Sequence, residues 1–199
     1  MSLRVAIFLY PNVEVLDFAG PYEVFTTASR MFLREHPNDE PPFEVFTVAE
    51  NAMVRARAGL EVRSDYLIDD HPAIGVLIIP GGVVDEELVK PAVLAWIGRC
   101  ATQSRIVASV CTGSFLLAQV GLLDGRSATT HWEDTAILRQ SFPQVDVVEN
   151  RRWVDLGPIV TSAGISAGID MSLHLVERLA GRALADRTAK LMDVVWTED

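Results

Sequence analysis

The sequence predicts an α/β fold with a mostly parallel sheet and helices on both faces. Three observations predict it. Arg4 to Tyr10, Val76 to Ile79 and Arg105 to Val110 read as strands buried on both faces, because their apolar residues run on without alternating. Segments with helical spacing alternate with these runs, the order expected of a parallel sheet covered by helices. Each strand is followed by an unusual feature, namely the turn before Asp17, Gly81-Gly82, and Cys111. In such folds ligands bind outside the carboxyl ends of the strands, so the chemistry is expected where those three features meet.

Glu14 to Arg30 has Val15, Phe18, Val24 and Phe25 at helical spacing. Pro21 leaves two readings open: Gly20 caps a helix whose first residue is Pro21, or a helix starting near Glu14 kinks there. Arg34 to Pro42 is a polar loop and Phe43 to Ala49 alternates like a strand. Met53 to Arg57 and Leu60 to Arg63 flank Ala58-Gly59 as a short hairpin. Pro91 to Thr102 is helical, with Pro91 in its first turn, and Gly113 to Val120 is a helix ended by Gly121. Ser127 to Thr130 is a short strand and His131 to Ser141 a helix. Asp146 to Val148, Arg152 to Val154 and Ile159 to Thr161 are short strand candidates. Ser166 to Leu179 and Ala183 to Trp196 are the last two helices. There is no internal repeat and no linker, so residues 1–199 are expected to form one domain.

The 199 residues carry 17 Lys plus Arg against 27 Asp plus Glu, a formal charge of −10. That balance argues against a nucleic-acid surface, which needs concentrated Lys and Arg. No apolar run approaches the roughly 18 residues that span a bilayer. The apolar start lacks a cleavage site and soon meets Glu14 and Asp17, so it is read as a strand and the location as cytoplasmic. Two cysteines are too few for a disulfide scaffold and lack zinc-ligand spacing. No metal is expected, since no His, Cys or carboxylate pair has ligand spacing.

The strongest chemical signal is Ser109-Val110-Cys111-Thr112-Gly113-Ser114, between a buried strand and a helix. A nucleophile elbow needs small residues two before and two after the nucleophile so that the backbones can approach. Ser109 and Gly113 meet that need and Cys111 takes the nucleophile's place. The N-terminus of the Gly113 helix is expected to favour thiolate. The competing reading is a buried structural thiol. Pro80-Gly81-Gly82 alone is only a turn; beside the elbow, the Gly82 and Thr112 amides are expected to form an oxyanion hole. Asp17 is the one acid in Val15 to Ala19. It either caps a helix or faces a cleft, where a neighbouring thiolate would raise its pKa and let it act as an acid. Glu14 and Glu23 are its rivals. His131 is either a base for Cys111 or a cap or core residue. His174 is expected beside its helix's apolar stripe, His36 and His71 in exposed loops, and Cys100 packed in a helix.

As a set, Leu16-Asp17-Phe18-Ala19-Gly20-Pro21, Ile79-Pro80-Gly81-Gly82, Ser109 to Ser114, Ala128-Thr129-Thr130-His131-Trp132 and Ser162 to Asp170 resemble the ThiJ/PfpI superfamily, and most nearly its isocyanide hydratase branch. The resemblance runs from about Arg4 to about Val195. It implies a flavodoxin-like three-layer α/β sandwich, a Cys nucleophile elbow, a homodimer, a small-molecule substrate and no cofactor. It implies Cys111 as nucleophile, Asp17 as its acid/base partner, Thr112 as a positioning residue, and Ile165 lining the pocket. Superfamily proteases place His directly after the nucleophile, where this chain has Thr112, so a peptidase is not expected. The H-x-E pair of related glutamine amidotransferases has no counterpart but His174-Leu175-Val176-Glu177 inside a helix, so glutaminase activity is not expected either.

The same motifs also resemble the N-terminal domain of some AraC-type regulators. With no DNA-binding module following, a complete regulator is not expected. Three functions are therefore carried forward: hydration of an isocyanide, a non-catalytic ligand- or redox-sensing domain, and glyoxalase-type chemistry on reactive carbonyls.

Overall fold

The computed structural model describes residues 2–198. Its central sheet is built on β1 (Leu3–Leu9), β2 (Phe43–Ala49), β5 (Tyr66–Leu67), β6 (Val76–Ile79), β7 (Ile106–Val110), β10 (Trp153–Asp155) and β11 (Ile159–Ser162). Met53–Arg55 (β3) pairs with Glu61–Arg63 (β4) as a hairpin, and Ser127–Ala128 (β8) pairs with Asp146–Val147 (β9). The helices are Val15–Glu35 (α1), Pro91–Gln103 (α2), Gly113–Gln119 (α3), Thr135–Ser141 (α4), Ala167–Ala180 (α5) and Arg182–Leu191 (α6).

The main sheet runs in the order β10-β11-β7-β6-β1-β2-β5. All pairs are parallel except β10 with β11. Helices flank it in a three-layer flavodoxin-like sandwich, α1, α5 and α6 packing together and α2 against α3. Every residue of β6 and β7 is buried, as are the last five of β1. That burial explains their unbroken apolar sequence. From β1 the chain goes first to β2 on one side, then returns to β6 on the other. The strand order therefore reverses between β1 and β6, the crevice that open α/β sheets use for ligands. Asp17, Gly81-Gly82 and Cys111 all follow strands at this point.

Several boundaries differ from expectation. Helix α1 starts at Val15 and runs through Pro21 to Glu35, so the helix that starts near Glu14 is the one formed, and Pro21 lies inside it. Pro21 sits where its missing N–H leaves the Asp17 carbonyl without its helical donor. The short strand β5 has no counterpart in the sequence reading, because its two residues are both exposed and too few to alternate. The segment from His131 is a turn, closed by Asp134 N–H donating to the His131 carbonyl at 2.9 Å, and α4 begins only at Thr135. The last helix ends at Leu191, not Trp196. Asp193 adopts φ 54°, which breaks the helix, and the tail folds back so that Arg182 lies over the Trp196 ring. Asp170 anchors this region, accepting from Arg152 Nε at 2.6 Å and from the Thr197 amide at 3.0 Å.

The small residue expected two beyond Cys111 is needed for packing. A Cβ on Gly113 would stand 2.1 Å from the Ile79 carbonyl oxygen, where backbone of α3 meets the end of β6. Gly113→Ala is predicted to cost about 1–3 kcal/mol of stability through this overlap, read as a lower urea midpoint; an unchanged midpoint contradicts the packing argument.

Candidate functional site

Cys111 sits at φ 56°, a left-handed conformation rarely taken by a side-chain-bearing residue and costing roughly 1–3 kcal/mol. The surroundings hold it there. Its N–H donates to the Ser162 and Ala163 carbonyls at 3.1 and 3.3 Å. Its carbonyl accepts from the Thr130 hydroxyl at 2.9 Å, the Ser114 hydroxyl at 3.1 Å and the Ser114 amide at 3.3 Å. This is the sharp strand-to-helix turn that an elbow requires. Ile165, at φ 51°, is a second strained residue beside it, and a β-branched side chain makes that conformation rarer still.

The Asp17 carboxyl approaches from the first turn of α1 and is fully buried. It does not cap its own helix. Oδ2 accepts the Gly81 amide at 3.1 Å, while Oδ1 is sealed from solvent with no partner at hydrogen-bonding geometry. Gly81 explains how the three strand ends close together. A Cβ there would lie 2.7 Å from Asp17 Oδ2, from Cys111 Cβ and from Thr112 N alike. Of the rivals, Glu14 stands on the wall of the same cavity but is paired with Arg57 at 3.2 Å, and Glu23 pairs with Arg30 at 2.9 Å at an exposed position away from it.

Burial dominates the electrostatics. It pushes the Asp17 pKa up from 3.8 to about 7, helped by the charge of Glu14 and opposed by the Gly81 amide, the Cys111 thiol and the Ile165 amide. It pushes the Cys111 thiol from 9.0 to about 12, with Asp17 adding to the rise and the Thr112 amide opposing it. The expected thiolate is thus corrected. Cys111 is only 8% exposed, α3 has seven residues, and one amide does not offset desolvation and a neighbouring carboxylate.

The oxyanion hole is corrected too. The Thr112 hydroxyl accepts the Gly82 amide at 2.9 Å and donates to the Gly82 carbonyl at 2.9 Å, so the Gly82 N–H is already engaged. Glu14, Arg57, Gly82, Cys111, Thr112, His131, Glu133, Asp134 and Ile165 line a cavity of about 360 Å³. Val84, Asp85, Leu88, Phe115, Ile137 and Phe142 line an adjoining lobe of about 530 Å³, which shares Gly82, Thr112 and Asp134 with it. His131 packs against Gly164 and holds Nδ1 3.5 Å from an Asp134 carboxylate oxygen.

The remaining expected side chains lie outside this site. His174 stacks on Trp153 and bonds Asp155 at 2.7 Å. His71 is half-buried, not exposed, because it accepts the Trp96 indole N–H at 2.8 Å. Cys100 is buried, and both cysteines are free. Among the described residues, no group of three His, Cys, Asp or Glu could hold a metal ion. No helix there is long and apolar enough to cross a membrane. Sequence reading missed Arg57, Glu133 and Asp134 as lining residues and Thr130 as the anchor of the elbow. Thr130 alone had a signal, standing in the Thr129-Thr130-His131-Trp132 motif.

Asp17 also couples stability to pH. Folded, it holds its proton up to about 7; unfolded, it releases it near its ordinary 3.8. Between these values the native state binds more protons than the unfolded one, so stability falls as pH rises through this window. The loss is on the order of a few kcal/mol between about pH 4 and 8. Asp17→Asn should remove that slope in urea titrations at several pH values; a slope unchanged in the variant refutes the assignment.

This arrangement can be set beside known proteins. The profile of the DJ-1/PfpI family matches residues 3–178. The chain is 34% identical over 184 residues to isonitrile hydratase from Pseudomonas putida, covering 91% of this chain and 74% of that one. It is 32% identical over 185 residues to the HTH-type transcriptional regulator CdhR from Pseudomonas aeruginosa, covering 93% of this chain but 53% of the regulator. The chain thus spans about half of that regulator's length. Among solved structures, a THiJ/PfpI family protein from Pseudomonas syringae superimposes with a TM-score of 0.83 at 26% identity, over 100% of this chain and 77% of that one. Elbow, fold and profile agree that this chain belongs to the DJ-1/PfpI family.

Proposed function

We propose that this chain is a cysteine-dependent hydratase of small molecules, most concretely one that converts an isocyanide (isonitrile) to an N-substituted formamide. The observation that carries this reading is the Asp17 carboxyl, titrating near neutrality, beside Cys111 in a lined cavity. The similarity to isonitrile hydratase supports the choice of substrate.

In this reading the Asp17 carboxylate takes the thiol proton as substrate enters. The sulfur adds to the terminal carbon of R–N≡C, and Asp17 returns the proton to that carbon, leaving a thioimidate, R–N=CH–S. Water then adds to the same carbon. Asp17 accepts one of its protons and passes it to nitrogen. Collapse of R–NH–CH(OH)–S expels the sulfur as thiolate, the hydroxyl proton returns to the Cys–Asp pair, and R–NH–CHO leaves. Thr112 positions the elbow through Gly82, and Ile165 walls the cavity. His131, held by Asp134, stands on the cavity wall as a second proton acceptor for water. The single-domain organisation, the homodimer and the lack of a cofactor implied by the resemblance remain part of this proposal.

A ligand-sensing role is the second reading, favoured by the similarity to CdhR. A redox sensor is disfavoured, because oxidation proceeds through thiolate and burial keeps this sulfur protonated.

Incubation with cyclohexyl isocyanide is predicted to yield N-cyclohexylformamide by mass spectrometry, and Cys111→Ala to abolish it. Asp17→Asn should lower the rate by about 10²–10⁴-fold, the usual contribution of a positioned acid/base. The reactive pair carries one proton, so activity should rise through about pH 7 as the first proton leaves. Binding without turnover moves the assignment to the sensing reading; equal turnover by Cys111→Ala ends the covalent mechanism.

A further inference from the structure

The cavity over Cys111 is walled by more negative than positive charge. Glu14, Glu133 and Asp134 line it and the adjoining lobe adds Asp85. They arrive from three separate connections: ahead of α1, ahead of α4 and after β6. The one Lys or Arg among the lining residues of both lobes is Arg57, whose guanidinium already pairs with Glu14 at 3.2 Å. His131 has two carboxylates at its Nδ1, Asp134 at 3.5 Å and Glu133 at 3.8 Å. Arg57 is thus matched by Glu14, and the carboxylates of Glu133, Asp134 and Asp85 remain over. A narrow cleft with low-dielectric walls focuses such a field, and the chain's formal charge of −10 adds to it.

We propose that this cavity selects its ligands by charge: it admits neutral and cationic small electrophiles to Cys111 and rejects anionic ones, carboxylates and phosphates included. This rests on Cys111 being the substrate-facing group of the proposed function, and it narrows the substrate class. An isocyanide bearing an amine or an uncharged hydrocarbon fits; one bearing a carboxylate does not. An anionic ligand would have to desolvate against Glu133 and Asp134 with no free guanidinium to receive it, a like-charge placement that costs binding outright.

The test probes the cavity without turnover. Three methanethiosulfonates that differ in charge are reacted with the protein: the trimethylammonium-ethyl, methyl and sulfonatoethyl forms. In each case the Cys111 thiol passes its proton to the Asp17 carboxylate, and its sulfur forms an S–S bond with the reagent's sulfenyl sulfur, releasing methanesulfinate. Peptide mass mapping separates Cys111 from Cys100, and each rate is divided by that of 2-mercaptoethanol with the same reagent. At low salt the cationic reagent should outpace the anionic one by about tenfold or more, with the methyl form between. That ratio should shrink in about 0.5 M salt. Glu133→Gln, at an exposed position, should shrink it as well, and Arg57→Gln should widen it. A sulfonate reagent as fast as the cationic one at low salt overturns the proposal. So does a ratio indifferent to both salt and Glu133→Gln, or the failure of all three reagents to reach Cys111. A parallel comparison of cyclohexyl isocyanide with isocyanoacetate keeps the two ideas apart. Turnover of neither, with the reagent order intact, removes the hydratase reading and leaves charge selection standing.

Discussion

The contact between the Gly81 amide and the Asp17 carboxyl is the constraint on which the site depends. It joins the first turn of α1 to the end of β6, and it does so with a buried acid. Burying a carboxyl is unfavourable unless donors compensate it fully, and here desolvation outweighs them, so the group keeps its proton to near neutral pH. A carboxyl that titrates there can both give and take a proton in one cycle. An exposed acid, or one ringed by donors, would have lost that capacity. The absent side chain at Gly81 lets α1, β6 and β7 bring their ends to a single point.

The elbow extends the same logic. Its left-handed backbone is unfavourable in isolation and persists because partners fix both the amide and the carbonyl of Cys111. They come from β11, from the Thr130 segment and from the first turn of α3, so the strain is distributed over several parts of the fold. Burial that holds the sulfur in place also keeps it protonated. Geometry and protonation are therefore set by the same surroundings, and the acid next to the thiol is the group placed to exchange a proton with it.

Much of this was legible in the sequence where one cause dominates. Continuous apolar runs marked β1, β6 and β7 because burial on both faces leaves no room for polar residues. Small residues around Cys111 marked the elbow because backbone approach forbids larger ones. The convergence of Asp17, Gly81 and Cys111 followed from strand-end logic. What was illegible depends on balances or on distant chain. The thiol's protonation is a contest between desolvation and one amide, which no local pattern reports. Arg57 reaches the cavity from a hairpin, 43 residues from the Glu14 it pairs with, and nothing in its neighbours announces that. The end of α6 at Leu191 turns on Asp193 alone adopting a positive φ, against an apolar pattern that continues to Trp196.

The two-way bond between Thr112 and Gly82 carries a consequence for how this loop can vary. One hydroxyl serves both polar groups of a single peptide residue, so it fixes the loop's spacing and its rotation together. Serine would preserve both ties. Valine, nearly the same shape, would strand a donor and an acceptor at once and free the glycine to turn its N–H toward the cavity. Relatives that dispense with a hydroxyl here must anchor that loop by other means, and their cavity floor should present a backbone donor that this protein keeps occupied.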